Sequence, residues 1–222
     1  MTRSAEEIRA HLRLKVNYAL RRPGMWGGES TLRVLLEALA FADGIEAQWH
    51  RETEDLRERG LFLPTGVLGT AKRVMPDDPE PDQVMASMYA EFAHRVGWLD
   101  VERRLTAAEH ADLLARLPDW CTADRTLSDV VAAFGESSLP YGRAGSPWPT
   151  TLVYAADPGL PLICLHTWNV IVGPGVQAAH PEPVLLAAHI GGRPFETAFL
   201  RTPEGLRLRP EEPDDDEDVE EA

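Results

Sequence analysis

Apolar residues at Ile8, Leu12, Val16 and Ala19 recur at helical spacing behind Ser4 and Glu7, a capping-box pair, so the chain is predicted to open with a helix over about 5 to 21 that Pro23 stops. A second helical stretch starts near Ser30 or Thr31, carries Leu32, Leu35, Leu36, Leu39, Trp49 and Leu56, and ends at Gly60. Gly44 is a possible break in it, and its charge-rich later half is expected at the surface. Pro64, Pro76, Pro79 and Pro81 make residues 61 to 82 a connection, where the chain can change domain. Asp82 then caps a third helix with the stripe Val84, Met85, Met88, Tyr89, Phe92 and Val96, closed by Gly97. Thr106 and Glu109 form another capping box ahead of Leu113, Leu114 and Leu117, with Pro118 following the end. Thr126 opens a short helix through Val130 and Phe134 that Gly135 stops.

Beyond this point the pattern changes. Residues 136 to 149 are rich in Ser, Gly and Pro and read as loop; β-type runs then cover 151 to 155, 160 to 168, 184 to 190, 195 to 200 and 206 to 208. Asp157-Pro158-Gly159 and Gly191-Gly192 are turn signals between runs, and links this short cannot make parallel crossovers. The expected class is α+β: N-terminal helices followed by a C-terminal antiparallel meander of four to five strands. The expected organisation is a helical region 1–76, an α+β region 77–209 and a disordered acidic tail 210–222.

With 222 residues and 44% hydrophobic content the chain can bury a substantial core. It has no apolar run long enough for a bilayer and no signal-peptide pattern, so a soluble cytoplasmic protein is expected. In that compartment Cys121 and Cys164 are expected as thiols. The net charge is −14, but nine acids lie between Glu211 and Glu221, which leaves −5 on residues 1 to 210. Residues 1 to 73 hold twelve bases and ten acids, whereas 74 to 210 hold ten and seventeen, so the acidity belongs to the second half. Bases interleaved with acids make no nucleic-acid footprint, and the acidic half favours a basic protein partner.

The run Arg21-Arg22-Pro23-Gly24-Met25-Trp26-Gly27-Gly28 concentrates residues with unusual backbone preferences and is expected to be a shaped turn. It resembles the Arg-Pro-Gly-Met-Tyr segment of gyrase-like ATPases of the GHKL class. That resemblance implies a Glu, an Asn and an Asp-x-Gly-x-Gly segment for water, magnesium and adenine. Here the following helix offers Glu37 and Asp43 but Phe41 and Ala42 where the amide is needed, and Asp-x-Gly-x-Gly does not occur, so the likeness is coincidental. Arg22-Pro23-Gly24-Met25-Trp26, with Phe134-Gly135-Glu136-Ser137-Ser138, also resembles small bacterial proteins of the immunity or partner-binding type, which implies binding rather than catalysis. Arg22 and Trp26 in this turn, and Arg143 and Trp148 in the Pro140 to Trp148 loop, are the candidate binding residues, since Trp and Arg dominate binding hot spots.

One alternative is chemical. A strand sends Cys164, His166 and Trp168 to one face, where His189 of a later strand can join them. Cys164, His166 and His189 would be three zinc-type ligands or a Cys-His pair, although no fourth ligand is implied. His11, His50, His94 and His110 lie among charges on helices and are expected to be solvated. No cofactor is expected.

Overall fold

In the computed structural model, which describes residues 3–76, 81–142, 147–172 and 177–210, both predicted capping boxes form. Ser4 Oγ accepts from the Glu7 amide at 3.1 Å while Glu7 accepts from the Ser4 amide at 2.8 Å, opening α1 (Ala5–Arg21). A 3₁₀ turn, η1 (Pro23–Trp26), leads through Gly27, left-handed at φ 87°, into α2 (Gly28–Asp43). Gly44 does break the second helical stretch, and α3 (Glu46–Glu58) follows. The segment expected to be only a connection contains a helix, α4 (Val67–Lys72). Its first amides at Val67 and Leu68 donate to the carboxylate of Glu29 at 2.8 and 3.0 Å, so a residue almost forty positions away starts it.

After α5 (Asp82–Arg95), α6 (Ala107–Trp120) and α7 (Leu127–Phe134) begin at the Thr106–Glu109 and Thr126–Asp129 capping boxes. Pro118 lies inside the last turn of α6 rather than beyond it. The strands are β1 (Leu139–Gly142), β2 (Thr150–Tyr154), β3 (Ile163–Trp168), β4 (Ile171–Val172), β5 (Gln177–Ala178), β6 (Val184–Ile190) and β7 (Phe199–Arg201). Five of them form one antiparallel sheet in the order β1-β2-β3-β6-β7, with β4 and β5 a separate hairpin between β3 and β6. The class is α+β, with N-terminal helices and a five-stranded C-terminal meander.

Three local expectations change. Part of the predicted loop 136 to 149 is β1, which tolerates Pro140 because it is an edge strand. The run 195 to 200 is one helical turn, α8 (Phe195–Ala198), before β7. The predicted strand 206 to 208 gives way to α9 (Pro203–Arg207), because Pro203 fits the first helical position and Thr202 caps it, its hydroxyl accepting from Gly205 N at 3.1 Å.

The sheet is covered on both faces. Tyr141, Val153, Cys164 and Leu186 share a core with Val16, Leu36, Met88 and Phe92 of the N-terminal helices and α5. Leu152, Tyr154, Ile163, Leu165 and Ile190 share the opposite one with Leu113, Leu117 and Val130 of α6 and α7. The register of β3 on β6 jumps from Thr167↔Leu185 to His166↔Ala187, so Leu186 is an extra, bulged residue. No helix among the described residues is long and apolar enough to cross a membrane.

Candidate functional site

Helix α5 runs between the N-terminal helices and the sheet, and every residue from Gln83 to His94 is buried. Its apolar stripe meets the expected core. Its polar positions Ser87 and Glu91, one helical turn apart, come up against the sheet face that carries Cys164, His166 and His189. Cys164 and His189 are direct cross-strand partners, so the three residues that alternation placed on one face do share it.

A chain of polar contacts crosses this buried layer. Thr151 Oγ1 lies 2.8 Å from His166 Nδ1, and Ser87 Oγ lies 3.5 Å from His166 Nε2 and 3.0 Å from His189 Nδ1. His189 Nε2 is 3.1 Å from Glu91 Oε1, within reach of the carboxylate but not aligned as a hydrogen bond. The other Glu91 oxygen accepts from Arg59 Nη1 at 3.0 Å and from the Gly192 amide at 2.8 Å. Arg59 donates further to Asp55 at 2.8 Å and lies 3.9 Å from Glu52, which pairs with Arg95. The later half of the second helical stretch, expected at the surface, therefore buries Glu52 and Arg59. The Gly191-Gly192 turn makes room for Glu91, since a Cβ on Gly191 would stand 3.1 Å from Glu91 Cγ.

Ser, His and Glu in this order have the connectivity of a hydrolytic relay, yet the geometry opposes that use. Ser87 gives its hydroxyl proton to the Val84 carbonyl at 2.7 Å, and Ser87, His166 and Cys164 have no solvent exposure. A neighbouring cavity of about 170 Å³ is lined by Glu91, His94, Arg95 and the Gly191-Gly192 turn, and Ser87 and both sheet histidines lie outside its lining. Burial pushes the Cys164 thiol far up, with the Glu91 charge adding to it, so it is no thiolate nucleophile. Among the described residues no group of three His, Cys, Asp or Glu side chains is arranged to hold a metal ion. Cys121, also a free thiol, is pushed up to about 11 by burial on the other side of the sheet.

The network titrates in one direction. Burial, aided by the His189 ring, holds His166 well below the ordinary 6.5, and burial with the Arg104 charge also lowers His94. For Glu91 burial is the largest influence and resists ionisation, but His189, Arg59 and the Gly192 amide together outweigh it and leave the carboxyl below its ordinary value. The unfolded chain therefore binds protons that the folded one refuses. Folding stability should be level between about pH 6.5 and 8, decline below that as unfolded histidine takes up protons, and fall further through the carboxylate range. Urea midpoints measured from pH 8 to 4 check this, and His166→Gln should flatten the first part of the decline. A midpoint that rises on acidification contradicts it.

The other histidines divide. His11 and His50 are exposed as expected, but His94 and His110 are buried rather than solvated. His110 Nε2 donates to the Pro161 carbonyl at 2.8 Å, whereas neither ring nitrogen of His94 has an aligned partner.

The second candidate is the hairpin α1–η1–α2. Among the described residues seven large apolar side chains are exposed, and Ile8, Leu14, Tyr18, Met25, Val34 and Phe41 all lie on this hairpin, leaving only Leu206 elsewhere. Met25, Val34 and Phe41 are 76%, 65% and 74% exposed. Trp26 is half-buried, stacked on Tyr18 with ring centroids 5.6 Å apart and covered by Lys15 Nζ at 4.7 Å. Arg22 reaches the Met25 sulfur at 3.9 Å. Between the helices Ile8, Leu12, Val34, Ala38 and Phe41 line a groove of about 670 Å³. The hairpin is held from behind: buried Asn17 donates to the Trp98 carbonyl and accepts from the Asp100 amide, and Trp98 donates to Asp43.

Of the loop candidates, Trp148 is half-buried beside Pro149, whose carbonyl accepts from Gln83 of α5 at 3.5 Å, and η1 packs on the same helix. Arg143 lies outside the described residues, as does the segment from Glu211 onward. Helical spacing held a signal for the groove, because Ile8 with Leu12 and Val34 with Phe41 continue the apolar pattern past what one core can use. No protein-family model, curated protein or solved structure matches this chain.

Proposed function

We propose that this chain is an intracellular partner-binding protein without catalytic chemistry, and that it engages a macromolecular partner through the α1–η1–α2 hairpin. One observation carries the reading: among the described residues, six of the seven exposed large apolar side chains fall on this single supersecondary unit. Exposed apolar residues gathered on one unit whose other side is held in place are the ordinary form of a protein–protein site. The resemblance of Arg22-Pro23-Gly24-Met25-Trp26 to immunity-type proteins points the same way. A basic partner is what the charge of residues 74 to 210 favours; the hairpin itself, with seven bases and five acids over residues 3 to 43, has the opposite balance. An enzyme using Cys164, His166 and His189 has less support, since each of the three is at most 1% exposed.

The test is capture of partners from the native cell followed by affinity measurement on variants. Trp26→Ala and Phe41→Asp are each expected to weaken the captured complex by about 2 kcal/mol or more, roughly 30-fold in Kd, with an unchanged melting temperature for the exposed Phe41. Partner affinity indifferent to both substitutions would move the site off the hairpin. Saturable turnover lost with His166→Gln would favour the enzyme instead.

A further inference from the structure

The groove between α1 and α2 combines a recess with a projecting ring. Ala5, Ala38 and Ala42 contribute only methyl groups to its wall, so about 670 Å³ stays open beside Ile8 and Leu12 of α1 and Val34 of α2. Phe41 lines the same groove, and most of its ring stands clear of the wall. The one charged residue in the lining is Glu37, which is exposed, so charge selects no foreign partner here and apolar shape and area decide. Taking a large side chain at roughly 150–250 Å², Ile8, Val34 and Phe41, which are 47%, 65% and 74% exposed, leave on the order of 350 Å² of apolar surface uncovered. A standard interface takes about 800 Å² from each partner, and in homodimers about two-thirds of it is apolar. These three side chains alone therefore supply most of the apolar part that one copy contributes.

We infer that the occupant of this groove is the same groove of a second copy of this chain, an assignment that rests on the hairpin being the recognition site. In a two-fold contact each copy's Phe41 enters the other's recess, and the two α1–α2 pairs stack as four helices. A ring and a recess on one surface are what such a self-complementary contact requires. The arrangement also suits the charge of the chain. Residues 3 to 43 hold seven bases and five acids, whereas residues 74 to 210 hold ten and seventeen, so the copies meet through a unit that is not acidic while the net charge of each chain is −14. The chain's own acidic segment does not fit the groove, because Val219 is the only large apolar residue between Glu211 and Glu221.

The test is sedimentation equilibrium of the full chain, where a dimer should dominate by about 100 μM. Phe41→Asp and Val34→Asp should each weaken that dimer by roughly 30-fold or more in Kd. Leu206→Asp is the control, because Leu206 is the one exposed large apolar residue off the hairpin among the described residues, and it should leave the dimer unchanged. At dilutions where every chain is monomeric, the two hairpin variants should melt with the parent, since both positions are exposed. A chain still monomeric at about 100 μM overturns the proposal. So does a dimer that survives both hairpin substitutions or is lost with Leu206→Asp. If the chain stays monomeric while a captured partner still loses affinity with Phe41→Asp, the second copy is the wrong occupant and the hairpin site stands. If capture is indifferent to Phe41→Asp as well, both fall.

Discussion

Glu91→Gln is expected to destabilise the folded chain by about 3 kcal/mol or somewhat more, because it removes the one anion that serves His189, Arg59 and the Gly192 amide together. Gln keeps the shape and can still accept from Gly192, so the loss isolates the charge. Breaking one side of a buried pair generally costs about 3–5 kcal/mol, since the remaining ion stays desolvated. The lower end applies here. Arg59 keeps its 2.8 Å bond to Asp55 and has Glu52 within 3.9 Å, so the guanidinium is not left alone. For a chain of this length the change corresponds to a drop in Tm of about 6–12 °C. Chemical denaturation of Glu91→Gln beside the unchanged chain checks this expectation. A cost for Glu91→Gln below about 1 kcal/mol would show that the carboxylate is not the anion of this network.

Much of the architecture was legible because it depends on neighbours in sequence. Ser4 with Glu7 and Thr106 with Glu109 are three residues apart, and each pair satisfies the helix start that its spacing implies. Alternation along Cys164, Leu165 and His166 likewise settled which residues share a face. What escaped depends on distant partners. α4 starts on the carboxylate of Glu29, and α9 begins with a proline that a strand reading overlooked. In α5 the apolar stripe was visible, but Gln83, Ser87 and Glu91 also recur every four residues, a polar line on an otherwise apolar helix. That spacing was the available sign that α5 is buried all round and that its polar side chains meet partners on the sheet. His94 and His110 were misplaced for a related reason: charged neighbours in sequence do not show which way a ring turns. The exposed side of the hairpin is the reverse case, since apolar residues at helical spacing look the same whether they enter a core or await a partner.

Gly205→Ala should rank with Glu91→Gln in effect, for a wholly different physical reason. A Cβ at this position would run into the Leu186 carbonyl oxygen, which is backbone and cannot swing aside. Leu186 is the bulged residue of β6, and the same carbonyl accepts from the Thr202 amide at 3.1 Å. Thr202 also donates its hydroxyl to the Leu185 carbonyl at 2.7 Å while capping α9. Relieving the clash means lifting α9 from β6, which stretches these bonds at a place with no solvent to replace them. Overpacking and a weakened buried hydrogen bond together cost about 3 kcal/mol. Gly159→Ala is the matched control: nothing lies within 4 Å of its added Cβ, and it should be neutral or stabilising by up to about 1 kcal/mol. Denaturation midpoints of the two variants decide the matter, and equal midpoints would mean that α9 does not rest on the bulge. Because α9 lies on the sheet rather than on the hairpin, Gly205→Ala should lower stability while leaving the affinity of the folded protein for its partner unchanged.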